Sequence, residues 1–219
     1  VEADATELNA DLAFQLLGYN KSARKLNANI VNLAKIPYKY KKFPHNLNAT
    51  QIKVPQIFLK PHFLISIAKM KTARLCQFTA TLKNMFGCNP EPYKAKYHNK
   101  LNENIVDFGL AFRPHLSVIE TVVAMEGAGP TLGTPIKLDT LIFGIDPLAT
   151  DYVAAKIIGI NPNKVKYLKL AEKQGLGLVN YKIEGGNLEE IKTKFKTTSM
   201  TVKFFPKVRP LLKLLEFSH

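Results

Sequence analysis

Cysteine is scarce in this sequence, which holds two in 219 residues, Cys76 and Cys88. Two cysteines do not make a disulfide framework. Eleven residues separate them, so there is no CxxC motif, and we expect no complete zinc or iron–sulfur site in this chain. The simplest interpretation is two buried, unreactive thiols in a reducing, cytoplasmic compartment.

Long apolar runs are also absent. No stretch approaches the roughly 18 apolar residues of a membrane-spanning helix, so we predict no transmembrane segment. Glu2 and Asp4 stand where a signal peptide would carry basic residues. The chain begins at Val1, which is not an initiator, with a pattern typical of a strand that leads into a helix. We therefore expect residues upstream of Val1.

Acidic residues are rare in one long segment. Residues 20–100 contain sixteen Lys and Arg and a single acid, Glu91, whereas the whole chain has a net charge of +14. A field of one sign attracts anions and raises their rate of encounter. The alternative is a lysine-rich, solvated surface with no specific partner.

Apolar runs alternate with amphipathic segments along the rest of the chain. The runs predict buried strands at Phe63–Ala68, Leu116–Val123 and Thr140–Phe143. Periodic apolar residues and helix-ending signals predict helices that end at Gly18 and near Gly87, a helix over Leu101–Phe112, one from Asp146 to Gly159, and one over Asn163–Lys173. Short strands are expected at Ala28–Leu33 and Lys182–Glu184.

This alternation predicts an α/β fold with a mostly parallel sheet and helices on both faces. We expect one domain over residues 1–190 and a basic, apolar tail over residues 191–219. In such folds, ligands bind at the carboxyl ends of the strands. Three segments follow predicted strands and would meet at that edge: Lys69–Thr72, Met125–Pro135 and Gly144–Asp146.

The first of these segments suggests an anion site. Lys69, Lys71 and Thr72 follow a strand, and Lys83 and Asn84 come soon afterwards on a predicted helix. Ammonium groups beside a hydroxyl and an amide suit a phosphate or carboxylate. The alternative is a set of surface lysines near a turn.

The second segment is rich in glycine. Gly127 and Gly129 permit close approach of the backbone to a ligand, and Thr131 and Glu126 supply polar groups. The segment is neither a P-loop nor a dinucleotide fingerprint, and the alternative is an ordinary glycine-rich turn.

Four residues are candidates for proton transfer or polar contact, and each has a structural alternative. Asp146 also fits the N-cap of a helix, and Asp151 also fits the favourable N-terminal end of the helix dipole. Glu126 is the only charge in its segment, and His98 closes the loop that starts at Tyr93. None of them belongs to a recognisable catalytic triad or HExxH motif.

Several segments taken in order resemble the domain-of-unknown-function family 362 (DUF 362): Ala68–Thr72, Thr81–Gly87, Tyr97–His98, Met125–Thr131, Gly133–Pro135 and Asp146–Asp151. The resemblance spans residues 1–180. Some family members carry ferredoxin-type cysteine motifs, which implies an iron–sulfur association and a ferredoxin-like partner. Members usually begin with a further strand and helix, so we expect this chain to lack its first strand and helix.

Two departures from the family pattern limit what the resemblance implies. Members often have a histidine where this chain has Ala73, so a metal or proton-transfer role for that position is in doubt. The ferredoxin-type cysteines are absent, so a cluster would have to lie outside this chain. The cofactor is therefore unknown.

Three functional hypotheses follow. The first is a small-anion-binding domain, either enzymatic or redox-associated, with the anion held by Lys69, Lys71, Lys83 and Asn84. The second is a basic interaction protein whose residues 20–100, with aromatics at Tyr38 and Tyr40, bind nucleic acid or an acidic protein. The third is a structural subunit that docks through the tail Val202–Phe217 on a partner or a membrane surface.

Overall fold

The N-terminal region forms two short helices in the computed structural model, which describes residues 1–6 and 8–197. Helix α1 (Ala10–Leu16) begins at Asn9, whose side chain accepts a hydrogen bond from the Leu12 N–H, and Gly18 precedes α2 (Tyr19–Lys25). Gly18 ends the first helix as predicted, at a positive φ of 75°. The strand expected at Ala28–Leu33 is reduced to one bridge between Glu2 and Asn32.

Residues 34–60 contain a small antiparallel ribbon, formed by β1 (Tyr38–Lys41) and β2 (Ile52–Pro55). Single 3₁₀ turns flank it at Leu33–Lys35 and Gln56–Leu59. All four residues of β1 are exposed, whereas three of the four in β2 are buried. The ribbon therefore attaches to the domain through β2 and presents β1 to solvent.

The main sheet has five strands: β3 (Ile65–Ala73), β4 (Gln77–Thr79), β5 (Leu116–Ala128), β6 (Leu132–Lys137) and β7 (Leu141–Gly144). The order is β4-β3-β5-β6, and β7 pairs with the first part of β5. The α/β class and the three predicted strands are confirmed, and β3 and β5 extend five residues beyond their predicted ends.

The direction of the strands corrects the expectation of a mostly parallel sheet. Among the described strands, β3 and β5 are parallel, whereas β4, β6 and β7 each run antiparallel to their neighbours. The sheet is therefore mixed. Its antiparallel part arises from short connections, which permit hairpins but not the crossovers that parallel strands need.

Helices cover one face of this sheet: α3 (Thr81–Asn84), α4 (Leu101–Ala111), α5 (Pro147–Ile157) and α6 (Lys166–Lys173). Met70 and Ile119 of the sheet and Phe108 and Tyr167 of the helices are fully buried between these layers. Short 3₁₀ segments connect the elements at Met85–Cys88, Lys94–Lys100 and Pro162–Lys164. Asp146 caps α5 and Pro147 begins it, as predicted.

The opposite face of the sheet is exposed. Strand register places Ile67, Val118 and Phe143 side by side in one row across β3, β5 and β7. Ile67 is 69% exposed and Phe143 63% exposed. Within residues 1–6 and 8–197, the expected second layer of helices does not lie over this row, and we call this surface the open face.

The last described residues return to the domain. Helix α7 (Leu188–Ile191) follows an irregular segment, and no strand forms at Lys182–Glu184, where the sequence prediction was wrong. Phe195 is buried, and the Lys196 carbonyl accepts a hydrogen bond from the Gly127 N–H at 2.7 Å. Residues 191–197 thus pack on the domain, whereas Val202–Phe217 lies outside the described residues.

Candidate functional site

Asp146 and Lys71 lie at opposite ends of the strands. Gly144, two residues before Asp146, pairs with Ser117 at the start of β5, whereas Lys71 pairs with Met125 near its end. The expectation that all three segments share one edge is wrong because β7 runs antiparallel to β5. Asp146 instead accepts hydrogen bonds from the backbone N–H groups of Ala149 and Leu178.

The glycine-rich segment is a β-hairpin between β5 and β6 rather than a loop. Thr72 donates its hydroxyl hydrogen to the Gly127 carbonyl oxygen at 2.9 Å. A Cβ on Gly129 would lie only 2.0 Å from the Thr72 carbonyl oxygen, so this position requires glycine. Thr131 is exposed at the hairpin tip. The sequence predicted a close backbone approach at Gly129. In the structure the backbone of Gly129 approaches β3.

Glu126 is buried within this hairpin. It is 8% exposed, and its carboxylate accepts a hydrogen bond from the Lys196 N–H at 2.8 Å. The Lys196 ammonium lies 3.7 Å away. Glu126 therefore ties the returning chain to β5.

Lys69 and Asn84 each have a partner within the domain. Lys69 forms an ion pair with Glu120 on the open face. The Asn84 side-chain amide donates to the Ser66 hydroxyl at 3.1 Å and to the Ile67 carbonyl oxygen at 3.3 Å. These contacts hold α3 against β3, so Asn84 acts here as a structural link.

Lys71, Lys83 and Lys94 come from three separate segments, and burial lowers the pKa of each while the charge of Glu2 raises it. Lys71 is half-buried near the end of β3, Lys83 is half-buried on α3, and Lys94 is 9% exposed at the start of a 3₁₀ segment. The Glu2 carboxylate lies against Gly87, where an added Cβ would be 2.6 Å from its Oε1 atom. We call Lys71, Lys83 and Lys94 the lysine cluster.

The charge of Glu2 acts on all three lysines of the cluster. Burial lowers the pKa of Lys83, and the charges of Lys94 and Lys71 lower it further, while Glu2 opposes them. Burial also lowers the pKa of Lys94 and of Lys71, again against the charge of Glu2. Each ammonium group is thus desolvated, and Lys83 also feels the charges of two other lysines.

The three lysines have no close counter-ion. In the part of the chain that the structure describes, none of them forms an ion pair, and Glu2 stays beyond ion-pair distance. The Lys83 ammonium instead lies 4.1 Å from the centre of the Phe86 ring. An uncompensated charge at a site of this kind is costly, so the cluster can accept an anion.

His98 borders the same site. Partial burial lowers its pKa, and the charge of Lys83 adds to this effect. The imidazole therefore favours its neutral form, which can accept a proton. Of the four candidates for proton transfer, His98 is the one that is electrostatically linked to the cluster.

Sequence reasoning identified Lys71 and Lys83 but not Lys94 or Glu2. Lys94 lies among other lysines in the loop after Tyr93, and no spacing distinguishes it from them. Its burial depends on the packing of that loop beside Glu2. Glu2 is recognisable only as an acid at the end of a strand-like segment.

The described residues give no metal centre. Within 1–6 and 8–197, no group of three or more His, Cys, Asp or Glu side chains is placed to hold a metal ion. Cys76 and Cys88 are both buried and free, as predicted for unreactive thiols. Also within these residues, no helix has the length and apolar character needed to cross a bilayer.

The fold and site define an α/β domain with a mixed sheet and a lysine cluster at one end of β3. The chain belongs to the DUF362 family, whose model, described as a domain of unknown function, matches residues 1–156. The family resemblance that the sequence motifs indicated is thereby confirmed.

One curated relative is the "Thylakoid-associated protein sll1697" of Synechocystis sp., which is 31% identical over 120 residues. The aligned region covers 52% of this chain and 37% of the relative, so the chain spans little more than a third of that protein. No solved structure matches the chain.

Proposed function

We propose that the lysine cluster binds a small anionic ligand. The observation that carries this proposal is the convergence of three desolvated lysines without an ion pair, one of which, Lys94, is only 9% exposed. Lysines are almost never buried without a partner, because the charged form loses its hydration. A bound anion would replace that hydration and raise the pKa of each lysine again.

The position of the cluster supports the same proposal. Lys71 lies near the end of β3 and beside the hairpin of Gly127, at the carboxyl edge of the two parallel strands. Ligands of α/β folds bind at this edge. Lys69 is excluded from the proposed contacts because Glu120 already neutralises it.

Thermal unfolding with and without added anion tests the proposal. Anions should raise the Tm of the parent protein and of Lys69→Met, because ligands that bind only the native state stabilise it. They should raise the Tm of Lys83→Met and Lys94→Met far less. An equal increase in all four proteins would indicate a general salt effect and refute the site.

Enzymatic activity is a further step in this proposal. His98 borders the cluster. Its neutral imidazole would exchange a proton with the bound anion. His98→Gln should then leave anion affinity intact while it abolishes any turnover. Parallel loss of affinity and turnover would instead assign His98 a purely structural role.

A second candidate function is binding of nucleic acid or an acidic protein through the β1 ribbon. Tyr38 and Tyr40 are exposed on β1, with ring centres 5.5 Å apart, and Lys39 and Lys41 alternate with them. Exposed aromatic rings among cations suit single-stranded nucleic acid. Replacement of Lys39, Lys41 and Lys42 by Glu should weaken such binding and flatten its salt dependence.

The predicted cytoplasmic location is also a proposal. The name of the Synechocystis relative connects that protein with thylakoids, which makes a membrane-adjacent location the competing proposal for this chain. Fractionation of cells into membrane pellet and supernatant separates the two. A chain that stays in the pellet at low salt and leaves it at high salt would favour peripheral membrane binding.

A further inference from the structure

Strand β1 has an outer edge that no other strand covers in the described part of the chain. The Gln56 N–H donates to the Pro37 carbonyl oxygen at 2.8 Å, which marks these two residues as a hydrogen-bonded pair of the antiparallel ladder. Such pairs alternate with pairs that are not hydrogen-bonded, and the register places Tyr38 and Tyr40 in pairs of the second kind. Their backbone N–H and C=O groups therefore point away from β2.

These backbone groups are available for pairing. Among the residues that the structure describes, none of the N–H and C=O groups of Tyr38 and Tyr40 has a hydrogen-bond partner in the protein. All of β1 and the flanking residues Pro37 and Lys42 are exposed. An edge of this kind is a template on which an extended peptide adds as a further strand.

The two faces of β1 present different side chains beside this edge. Tyr38 and Tyr40 lie on one face with ring centres 5.5 Å apart, and the Lys53 ammonium lies 4.9 Å from the centre of the Tyr38 ring. Lys39 and Lys41 lie on the other face. Across paired strands, aromatic rings pack well beside β-branched side chains, and ammonium groups beside carboxylates. The edge therefore fits a strand in which acidic and β-branched residues alternate.

The charge of β1 disfavours pairing with a second copy of the chain. Lys39, Lys41 and Lys42 form no ion pair within the described residues, whereas Lys53 is paired with Glu91 at 3.2 Å. If two β1 edges paired, the lysines of both copies would crowd together, and like charges destabilise such pairing. Lysines protect many strand edges from self-association in this way. The same lysines attract an acidic strand.

From this geometry we propose that β1 binds an extended acidic segment of a partner protein by strand addition. The inference rests on the second candidate function, and it selects a protein segment over nucleic acid. The observation that favours a peptide is the row of free backbone groups at Tyr38 and Tyr40. Donors and acceptors at strand spacing match another peptide backbone, whereas a nucleic acid backbone offers phosphate acceptors without matching donors.

Fluorescence anisotropy with labelled probes tests the choice of partner. The first probe is a peptide of about eight residues in which Glu and Thr alternate, a length typical of a strand. The others are a peptide in which Lys and Thr alternate and an oligothymidylate of similar length. The Glu/Thr peptide should bind at least about ten-fold more tightly than either. Oligothymidylate binding as tight as that of the Glu/Thr peptide would overturn the proposal.

Amide hydrogen exchange, followed by NMR, gives a readout at the proposed contact. In the free protein, the N–H groups of Tyr38 and Tyr40 should exchange faster than those of Lys39 and Lys41, which face β2. Saturation with the Glu/Thr peptide should slow the exchange of Tyr38 and Tyr40 by about ten-fold or more. Protection that instead rises with protein concentration, without peptide, would identify a second copy as the occupant and overturn the proposal.

Two substitutions of Tyr40 separate its backbone from its ring. Tyr40→Pro removes an N–H that faces away from β2, so it spares the ladder between β1 and β2. Tyr40→Ala removes the ring and keeps the N–H. The proline variant should bind the Glu/Thr peptide about five-fold more weakly than the alanine variant, or weaker still, because it lacks one backbone hydrogen bond. Equal binding by the two variants would contradict strand addition.

Substitutions of lysine test whether the peptide binds at this edge. Joint replacement of Lys39 and Lys41 by Glu should weaken binding of the Glu/Thr peptide by about ten-fold or more. Joint replacement of Lys169 and Lys173, both exposed on α6, changes the net charge equally and should have a much smaller effect. Equal effects of the two double variants would place the peptide on the basic surface in general and overturn the proposal.

The inference and the candidate function beneath it fail in different ways. Peptide binding that depends on Lys39 and Lys41, but without protection of the Tyr38 and Tyr40 amides, would overturn strand addition and leave acidic-protein binding standing. Preferred binding of oligothymidylate would leave only the nucleic acid form of the candidate function. Absence of binding by all three probes would overturn the inference and the candidate function together.

Discussion

The carboxylate of Asp151 accepts a hydrogen bond from the backbone N–H of Thr81 at 2.7 Å, and one from the next residue, Leu82, at 3.0 Å. Asp151 is fully buried on α5, whereas Thr81 begins α3. The two N–H groups are among those that the first turn of a helix leaves unpaired. Asp151 therefore anchors the short helix that carries Lys83.

Asp151→Asn should destabilise the fold by roughly 1–3 kcal/mol. An amide offers one oxygen where the carboxylate offers two, and its NH₂ group would face a backbone N–H. Urea unfolding measures the change. Asp139→Asn, at an exposed position, is the matched control and should change little, so equal effects of the two substitutions would contradict the anchoring role.

Stability should also depend on the titration of Asp151. Burial raises its pKa from 3.8 to about 7, against the opposing effect of the N–H groups of Leu82 and Thr81. Between these values the folded state holds a proton that the unfolded state releases. The free energy of unfolding should therefore fall as pH rises from about 4 to 7, by at most about 1.4 kcal/mol per pH unit.

Comparison with Asp151→Asn isolates this contribution from that of other carboxyl groups. The difference between parent and variant should depend on pH across that window and become constant above it. A difference that does not change between pH 4 and 8 would show that Asp151 is ionised throughout.

Local patterns were sufficient to predict several elements of the fold. The apolar runs identified the positions of β3, β5 and β7, although the residues on one face of these strands, such as Ile67 and Phe143, are exposed and not buried as such runs predict. Asp146 followed by Pro147 identified the start of α5, since both residues act within one turn of the helix. These predictions depend only on neighbours in sequence.

Strand direction and site membership depend on contacts between distant residues. The segment Met125–Pro135 has the glycines of a loop, yet it forms a hairpin because Gly129 fits against Thr72 and Glu126 binds the returning chain. Because β7 runs antiparallel to β5, Asp146 lies far from Lys71, at the other end of the strands. Lys94 belongs to the site only because its loop packs beside Glu2.

Lys83→Met should stabilise the protein in the absence of an anion. Burial beside Lys94 and Lys71 lowers the pKa of Lys83, so the ammonium group destabilises the native state at neutral pH. Replacement by an apolar side chain of similar length should raise the free energy of unfolding by about 1 kcal/mol. Thermal unfolding measures this change in stability, and Lys42→Met, at an exposed position, is the control.

The stability difference between the parent and Lys83→Met should shrink as pH rises. A lowered pKa means that the unfolded state binds more protons, so the parent should gain stability as pH rises towards 10.5 and approach the variant. If Lys83→Met is less stable than the parent at every pH, the ammonium group already has a favourable partner.

Cys76 and Cys88 should not react with thiol reagents in the folded protein. They are 4% and 6% exposed, and burial raises their pKa to about 11 and about 12. The thiolate is the reactive form, and it is scarce at neutral pH under these conditions. Ellman's reagent should label both thiols only after unfolding, and rapid labelling of the native protein would contradict their burial.

The two faces of β3 should respond differently to the same kind of substitution. Met70 is fully buried under the helices, whereas Ile67, three residues earlier on the open face, is 69% exposed. Met70→Thr removes buried apolar volume and should cost about 2–5 kcal/mol. Ile67→Thr keeps a β-branched side chain on an exposed position and should cost about 0.5 kcal/mol or less.

Urea unfolding of both variants, with Phe143→Thr as a second substitution on the open face, measures this contrast. Phe143 lies in the same cross-strand row as Ile67, so it should behave like Ile67 and not like Met70. A large cost for Ile67→Thr and Phe143→Thr would mean that the row is covered in solution. Dependence of that cost on protein concentration would then identify the cover as a second copy, because association links stability to concentration.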